Sequence, residues 1–101
     1  MIKNYQKYKV AKAIQVDALC SIHYFEFNDT FEDAIETHEA WEMVYIDRGD
    51  CEIVADDNCF VLKQGEIYFH KPHQRHMLKV IKGICPNVFI ITFESSSSAS
   101  K

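Results

Sequence analysis

Apolar and β-branched residues fall in short runs along this chain, each closed by a turn former. Leu19-Cys20-Ser21-Ile22-His23-Tyr24-Phe25-Glu26-Phe27 is rich in strand-favouring side chains, and so is Trp41-Glu42-Met43-Val44-Tyr45-Ile46. Arg48-Gly49-Asp50 breaks the second run, and Cys51-Glu52-Ile53-Val54-Ala55 resumes it. Asp56-Asp57-Asn58 reads as a turn before Cys59-Phe60-Val61-Leu62. Gly65 interrupts again, Ile67-Tyr68-Phe69 is a short strand, and Pro72 forbids its continuation. His76 to Ile81 and Val88 to Phe93 complete the set. Strands of about five residues at roughly ten-residue spacing predict an all-β sandwich or barrel. Asp29 to Glu39 is the segment closest to a helix, and its 3.6-residue periodicity is weak.

Composition narrows the classes. The 101 residues suffice for one small domain, with 48% hydrophobic and 26% charged residues, which argues for a globular fold over disorder. With 11 basic and 15 acidic side chains the formal charge is 11 − 15 = −4, a poor match for nucleic acid. Acid is concentrated between Glu26 and Asp57, where Arg48 is the one basic residue; this is either a solvated surface or an acidic lip on a barrel. The basic start of the chain carries no apolar stretch of the signal-peptide kind, and no run is long enough to span a bilayer. A cytoplasmic setting without membrane contact is expected. Cys20, Cys51, Cys59 and Cys85 show no metal-finger spacing and are expected to be reduced, most as small core residues. Cys51 and Cys59 are the pair a hairpin disulfide would use. Residues 1–18 are expected to form an arm or edge strand and 19–94 the barrel. The serine-rich residues 95–101 are expected to be a linker or tail.

The chemistry-bearing pattern is His38-x3-Glu42-x6-Gly49, joined later by Gly65-x6-Pro72-x3-His76. On an extended strand, residues four apart share a face, so His38 and Glu42 project together, and Glu36 has the same parity. A separate strand can bring His76 alongside. Two imidazoles and a carboxylate suit a borderline divalent metal. The ligands would then be His38, Glu42 and His76, with Glu36 as the fourth. The same residues also suit polar ligand recognition without a metal, or a purely structural hydrogen-bonded cluster. His38-Glu39-Ala40-Trp41-Glu42 echoes the helix-borne zinc-protease motif, but Glu42 replaces its second histidine and the segment reads as a strand.

These residues resemble the two cupin motifs. The first runs G-x5-H-x-H-x3,4-E-x6-G; here Thr30 stands for its leading glycine and Glu36 for its first histidine, while His38, Glu42 and Gly49 are in register. The second is matched by Gly65, Pro72 and His76, with Gln74 in place of a glycine, the histidine one residue early, and Val80 near the asparagine position. The resemblance implies a double-stranded β-helix, a jelly-roll-like barrel of two antiparallel sheets. The stretches 38–49, 65–76 and 86–94 further resemble the N-terminal cupin domains of AraC-type transcription regulators. That resemblance implies a small-molecule effector, a homodimer, and DNA contact only through a C-terminal helix-turn-helix domain that this sequence does not contain. It implies no required cofactor, although a divalent metal fits the donor set.

The alternative function is a free-standing metal-dependent cupin enzyme, an isomerase or dioxygenase, using His38, Glu42 and His76. A third role is dimerisation alone. Trp41 and Tyr45 share a strand face, as do Tyr68 and His70; Trp41, Tyr45 and Tyr68 join His38, Glu42 and His76 as candidate ligand-binding residues, unless they are simply core. His70 and His73 are expected in an exposed loop around Pro72. Residues 88–93 are apolar on both faces, so each needs a cover.

Overall fold

The computed structural model describes residues 16–96, and contains seven strands. They are β1 (Ala18–Glu26), β2 (Trp41–Arg48), β3 (Cys51–Ala55), β4 (Asn58–Leu62), β5 (Ile67–His70), β6 (His76–Val80) and β7 (Asn87–Glu94). All pairings are antiparallel. One sheet has the order β1-β7-β2-β5 and the other β4-β3-β6. Residues 1–15 of the expected arm or edge strand and 97–101 of the serine-rich tail lie outside the described residues.

Each turn sits where the sequence breaks. Asp56 opens the β3–β4 turn with φ of 53°, a conformation aspartate adopts more readily than most residues, and its carboxylate accepts from the distant Arg75 backbone N–H at 3.2 Å. Gly49 turns the chain from one sheet to the other, and β2 and β3 therefore make a corner between layers instead of a hairpin. No helix occurs among the described residues, so the weak periodicity of 29–39 does not become one. That segment instead spends its backbone groups on the free edge of β6. Glu32 bridges Lys79, Glu36 bridges His76, and the Asp33 carboxylate accepts from the Leu78 N–H at 3.1 Å. Edge groups that would otherwise be unpaired are thus covered.

Between the sheets lies a core of Val44, Ile46, Ile53, Leu62, Leu78 and Val88, with the buried Cys51 among them. Of the four free cysteines only Cys51 is buried, which corrects the expectation that most are core residues; Cys20, Cys59 and Cys85 are exposed. Burial pushes the Cys51 thiol up to about 12, so it is chemically quiet. Cys51 lies opposite Leu62 and Cys59 opposite Val54, two separate cross-strand rows.

Register sorts the four-stranded sheet's inner face into rows. Ser21, Thr92, Glu42 and His70 form one row across all four strands, and His23, Ile90, Val44 and Tyr68 the next. Polar groups therefore collect at one end of the layer and apolar ones towards the Gly49 corner.

Gly49 has φ of +71°, and a Cβ there would meet Ile84 Cγ2 at 2.9 Å and the Pro86 Cα at 3.3 Å. Gly65 has φ of +87° but faces open space. Gly49→Ala is expected to destabilise by about 2–4 kcal/mol, strain plus overpacking, and Gly65→Ala by about 1 kcal/mol, strain alone. Urea midpoints at unchanged m-value test the difference; equal losses would remove the steric part of the account.

Candidate metal centre

Glu42 is the second residue of β2, and its inward parity buries it at the polar end of the sandwich. His38 precedes β2 across a bend at Glu39-Ala40, so it reaches Glu42 over a kink, where the sequence suggested one continuous strand. Its backbone is held by the His73 N–H, which donates to the His38 carbonyl at 2.7 Å. His76 opens β6 in the other sheet and is 3% exposed. Glu36 is fixed beside it by a two-way backbone bridge, Glu36 N–H to the His76 carbonyl at 2.9 Å and His76 N–H to the Glu36 carbonyl at 3.0 Å.

The four residues converge. Glu42 Oε1 lies 3.2 Å from His38 Nε2 and 3.5 Å from His76 Nε2, and Glu36 Oε1 lies 4.0 Å from His76 Nε2. One ligand atom from each falls within 4.8 Å of all the others. Each imidazole has already committed its other nitrogen: His38 Nδ1 is 2.9 Å from the Ala40 carbonyl and His76 Nδ1 is 2.8 Å from the Gln74 carbonyl. A carbonyl can only accept, so both Nδ1 atoms carry the hydrogen, and in a neutral ring Nε2 presents a lone pair. Two lone pairs and a carboxylate oxygen facing one point repel unless a cation or an extra proton lies among them.

His76 Nε2 is buried with no hydrogen-bond partner among the described residues. Burial pushes the His76 pKa down, but Glu42, the Gln74 carbonyl and Glu36 together raise it above the ordinary imidazole value. Burial likewise pushes Glu42 up, and the His76 and His38 imidazoles more than offset this and leave it lowered. The two shifts are one interaction seen from both sides: the carboxylate favours a protonated imidazole, and the imidazoles favour an ionised carboxylate. Two atoms about 2.1 Å from a shared cation stand about 3.0 Å apart in octahedral and about 3.4 Å apart in tetrahedral coordination. The spacings of 3.2 and 3.5 Å suit that range. Two imidazoles with a carboxylate is the set used for Fe(II), Mn(II) or Zn(II), and the backbone carbonyls behind them are the usual orienting partners.

The cluster opens into a cavity of about 400 Å³, at the small end for a small-molecule site. Of the aromatic candidates, Trp41 and Tyr45 lie on the opposite face of β2 from Glu42 and Val44 and do not line this cavity. Trp41 stacks on Phe93 and Tyr45 lies against Phe89 on the outer face. Strand parity puts odd residues of β2 outside once Glu42 faces in. Tyr68 faces the core side and packs on Phe60.

The structure corrects the exposed-loop expectation for His70. It is the last residue of β5, 1% exposed, stacked on His76 at 4.5 Å, and lines the cavity. Its Nδ1 has no hydrogen-bond partner among the described residues. Alternation with Tyr68 was the available signal, because Pro72 leaves room for His70 within the strand. His73 is exposed, with φ of 66°.

Comparison with protein-family models and with curated protein sequences finds no match. Solved structures do match. A cupin 2 conserved barrel domain protein from Rhodopseudomonas palustris superposes with a TM-score of 0.64 at 22% identity, over 71% of this chain and 50% of that one. The fold is a cupin. The cupin domain of Schizosaccharomyces pombe Cnp3 gives 0.63 at 13%, over 81% and 64% of the two chains. Iron(II) HppE gives 0.60 at 17%, over 71% and 40%. At these identities the likeness is one of fold, and this chain spans half or less of the length of the first and last.

Burial, followed by the His76 charge, pushes His70 down to about 4 against the pull of Glu42. The unfolded chain, with an imidazole near 6.5, takes the proton first, so stability from His70 is full above pH 6.5 and is lost as pH falls towards 4. In chelator-treated protein this loss is expected to reach about 3 kcal/mol at most. Urea unfolding from pH 7 to 4 should be measurably less acid-sensitive in His70→Leu than in the wild type; parallel curves would remove His70 from the account.

Proposed function

We propose that this cupin binds a small molecule through a divalent metal held by His38, Glu42 and His76, with Glu36 as a fourth ligand, and acts as the effector-sensing domain of an AraC-type regulator. The observation that carries the metal is the meeting of two Nε2 lone pairs on one carboxylate oxygen, with both Nδ1 atoms fixed by carbonyls. Support for the regulator comes from the resemblance of 38–49, 65–76 and 86–94 to that family's sensor domains.

When bound, the metal supplies a Lewis-acid site for an oxygen donor. The chain's own residues do the rest. His38 and His76 are held in the ligating tautomer, and Glu42 supplies charge. A ligand seated there touches both sheets, and it switches a regulator if it favours one arrangement of the attached domains by a few kcal/mol. Pairing with a second copy through the apolar outer face, where Leu19, Ile22 and Tyr24 are exposed, belongs to the same reading.

A second reading, a metal-dependent enzyme, is favoured by the two-histidine, one-carboxylate donor set and by the iron in HppE. Turnover of a bound small molecule by metal-loaded protein would select it over the sensor.

Calorimetric titration of chelator-stripped protein with Zn²⁺ is expected to show one site per chain. His38→Ala and His76→Ala are each expected to weaken it by about a hundredfold or more while the circular dichroism stays that of the wild type. A chain with no saturable site sinks the metal reading. Light scattering at high protein concentration is expected to give a dimer mass, and a strict monomer removes the pairing.

A further inference from the structure

Glu36 differs from its three neighbours. Its backbone is locked to His76 in both directions, yet its side chain is 55% exposed and makes the longest of the cluster's three contacts, 4.0 Å. A side chain so placed can swing into solvent by rotation about its own bonds while the backbone stays put. It also brings a charge that a ligand can replace one for one. A divalent cation with Glu42 alone carries one net positive charge, and one further carboxylate neutralises it. Keeping Glu36 and adding a second anion would leave net negative charge in a low-dielectric cavity, which is costly.

The cavity wall says what the carboxylate is attached to. Beside Glu42 in the polar row, the Ser21 and Thr92 hydroxyls hydrogen-bond each other at 2.5 Å. Only one of their two hydrogens is used in that bond, which leaves a donor for a second carboxylate oxygen. Below that row runs a ladder of flat rings: His23 on Phe25 at 5.6 Å, Phe25 on Phe27 at 5.1 Å, and Phe27 on Phe31 at 4.3 Å, with interplanar angles of 25°, 15° and 28°. All four line the cavity, and no lysine or arginine among the described residues does, so no side-chain cation of that kind adds to the metal's hold on an anion.

We propose that the cavity takes a small aromatic monocarboxylate, whose acid group displaces Glu36 from the cation and whose ring lies along the His23–Phe31 ladder. Glu36 is then a stand-in for the ligand, occupying its seat until it arrives. The inference rests on the metal reading above.

Zn²⁺-loaded full chain titrated with benzoate, acetate and benzyl alcohol tests it by calorimetry, after the Zn²⁺ titration has been read on its own. Benzoate is expected to bind about tenfold tighter than acetate, and benzyl alcohol not measurably. Glu36→Ala is expected to keep Zn²⁺ and to bind benzoate several-fold tighter, because nothing has to be displaced. Phe31→Ala, at an exposed loop position, is expected to lose most of the benzoate preference with acetate unchanged. Benzoate binding no better than acetate overturns the aromatic assignment. Weaker benzoate binding, or loss of Zn²⁺, in Glu36→Ala overturns the displaceable seat. Failure of wild-type protein to take up Zn²⁺ strikes the metal reading itself, and is visible before any benzoate is added.

Discussion

Two imidazole nitrogens point at one carboxylate oxygen, and each ring is fixed from behind by a backbone carbonyl. Everything else at this end of the molecule follows from satisfying that arrangement. The bend before β2 sets His38 within reach of Glu42, the first residue of β6 brings in His76, and the bridge from Glu36 closes the fourth side. A buried polar group without a partner costs about 1–3 kcal/mol, and the His76 Nε2 and His70 Nδ1 atoms are two such groups at this end of the molecule.

Register makes the placement possible. Because side chains alternate along a strand, a one-residue slip of β2 would turn Glu42 outward and put Trp41 and Met43 in the core. The row Ser21-Thr92-Glu42-His70 exists only in the observed pairing, and so does the apolar row below it. The hydrophobic contacts of Val44, Ile46 and Val88 thus hold the polar groups in position as a by-product of burying themselves.

Much of this was legible in the chain. Strand positions follow from short β-rich runs between Gly49, Asp56-Asp57, Gly65 and Pro72, because these residues dictate local backbone geometry. The meeting of Glu36, His38, Glu42 and His76 follows from the two motifs they resemble; strand parity names the right residues, but for a continuous strand that the bend at Glu39-Ala40 and the Glu36–His76 bridge replace. Which face a strand presents to the cavity was not legible for Trp41 and Tyr45, since β2 is largely apolar on both faces and only pairing with β7 decides the matter. His70 is expected in the loop around Pro72; its alternation with Tyr68 points inward, and the β2–β5 pairing places it on the strand that makes this so. The path of residues 29–39 depends on the β6 edge, a partner some forty residues away in sequence that no local propensity encodes.

The Gly49 corner and the cluster sit at opposite ends of β2. The backbone passes from sheet to sheet at both ends: at Gly49, and again over residues 71–75, which carry the chain from His70 of one layer to His76 of the other beside the Glu42–His76 contact. The two layers are therefore stitched together by covalent chain at each end, like a hem sewn along both edges. Donor atoms that face each other across such a seam keep their spacing through the backbone, before anything is placed between them.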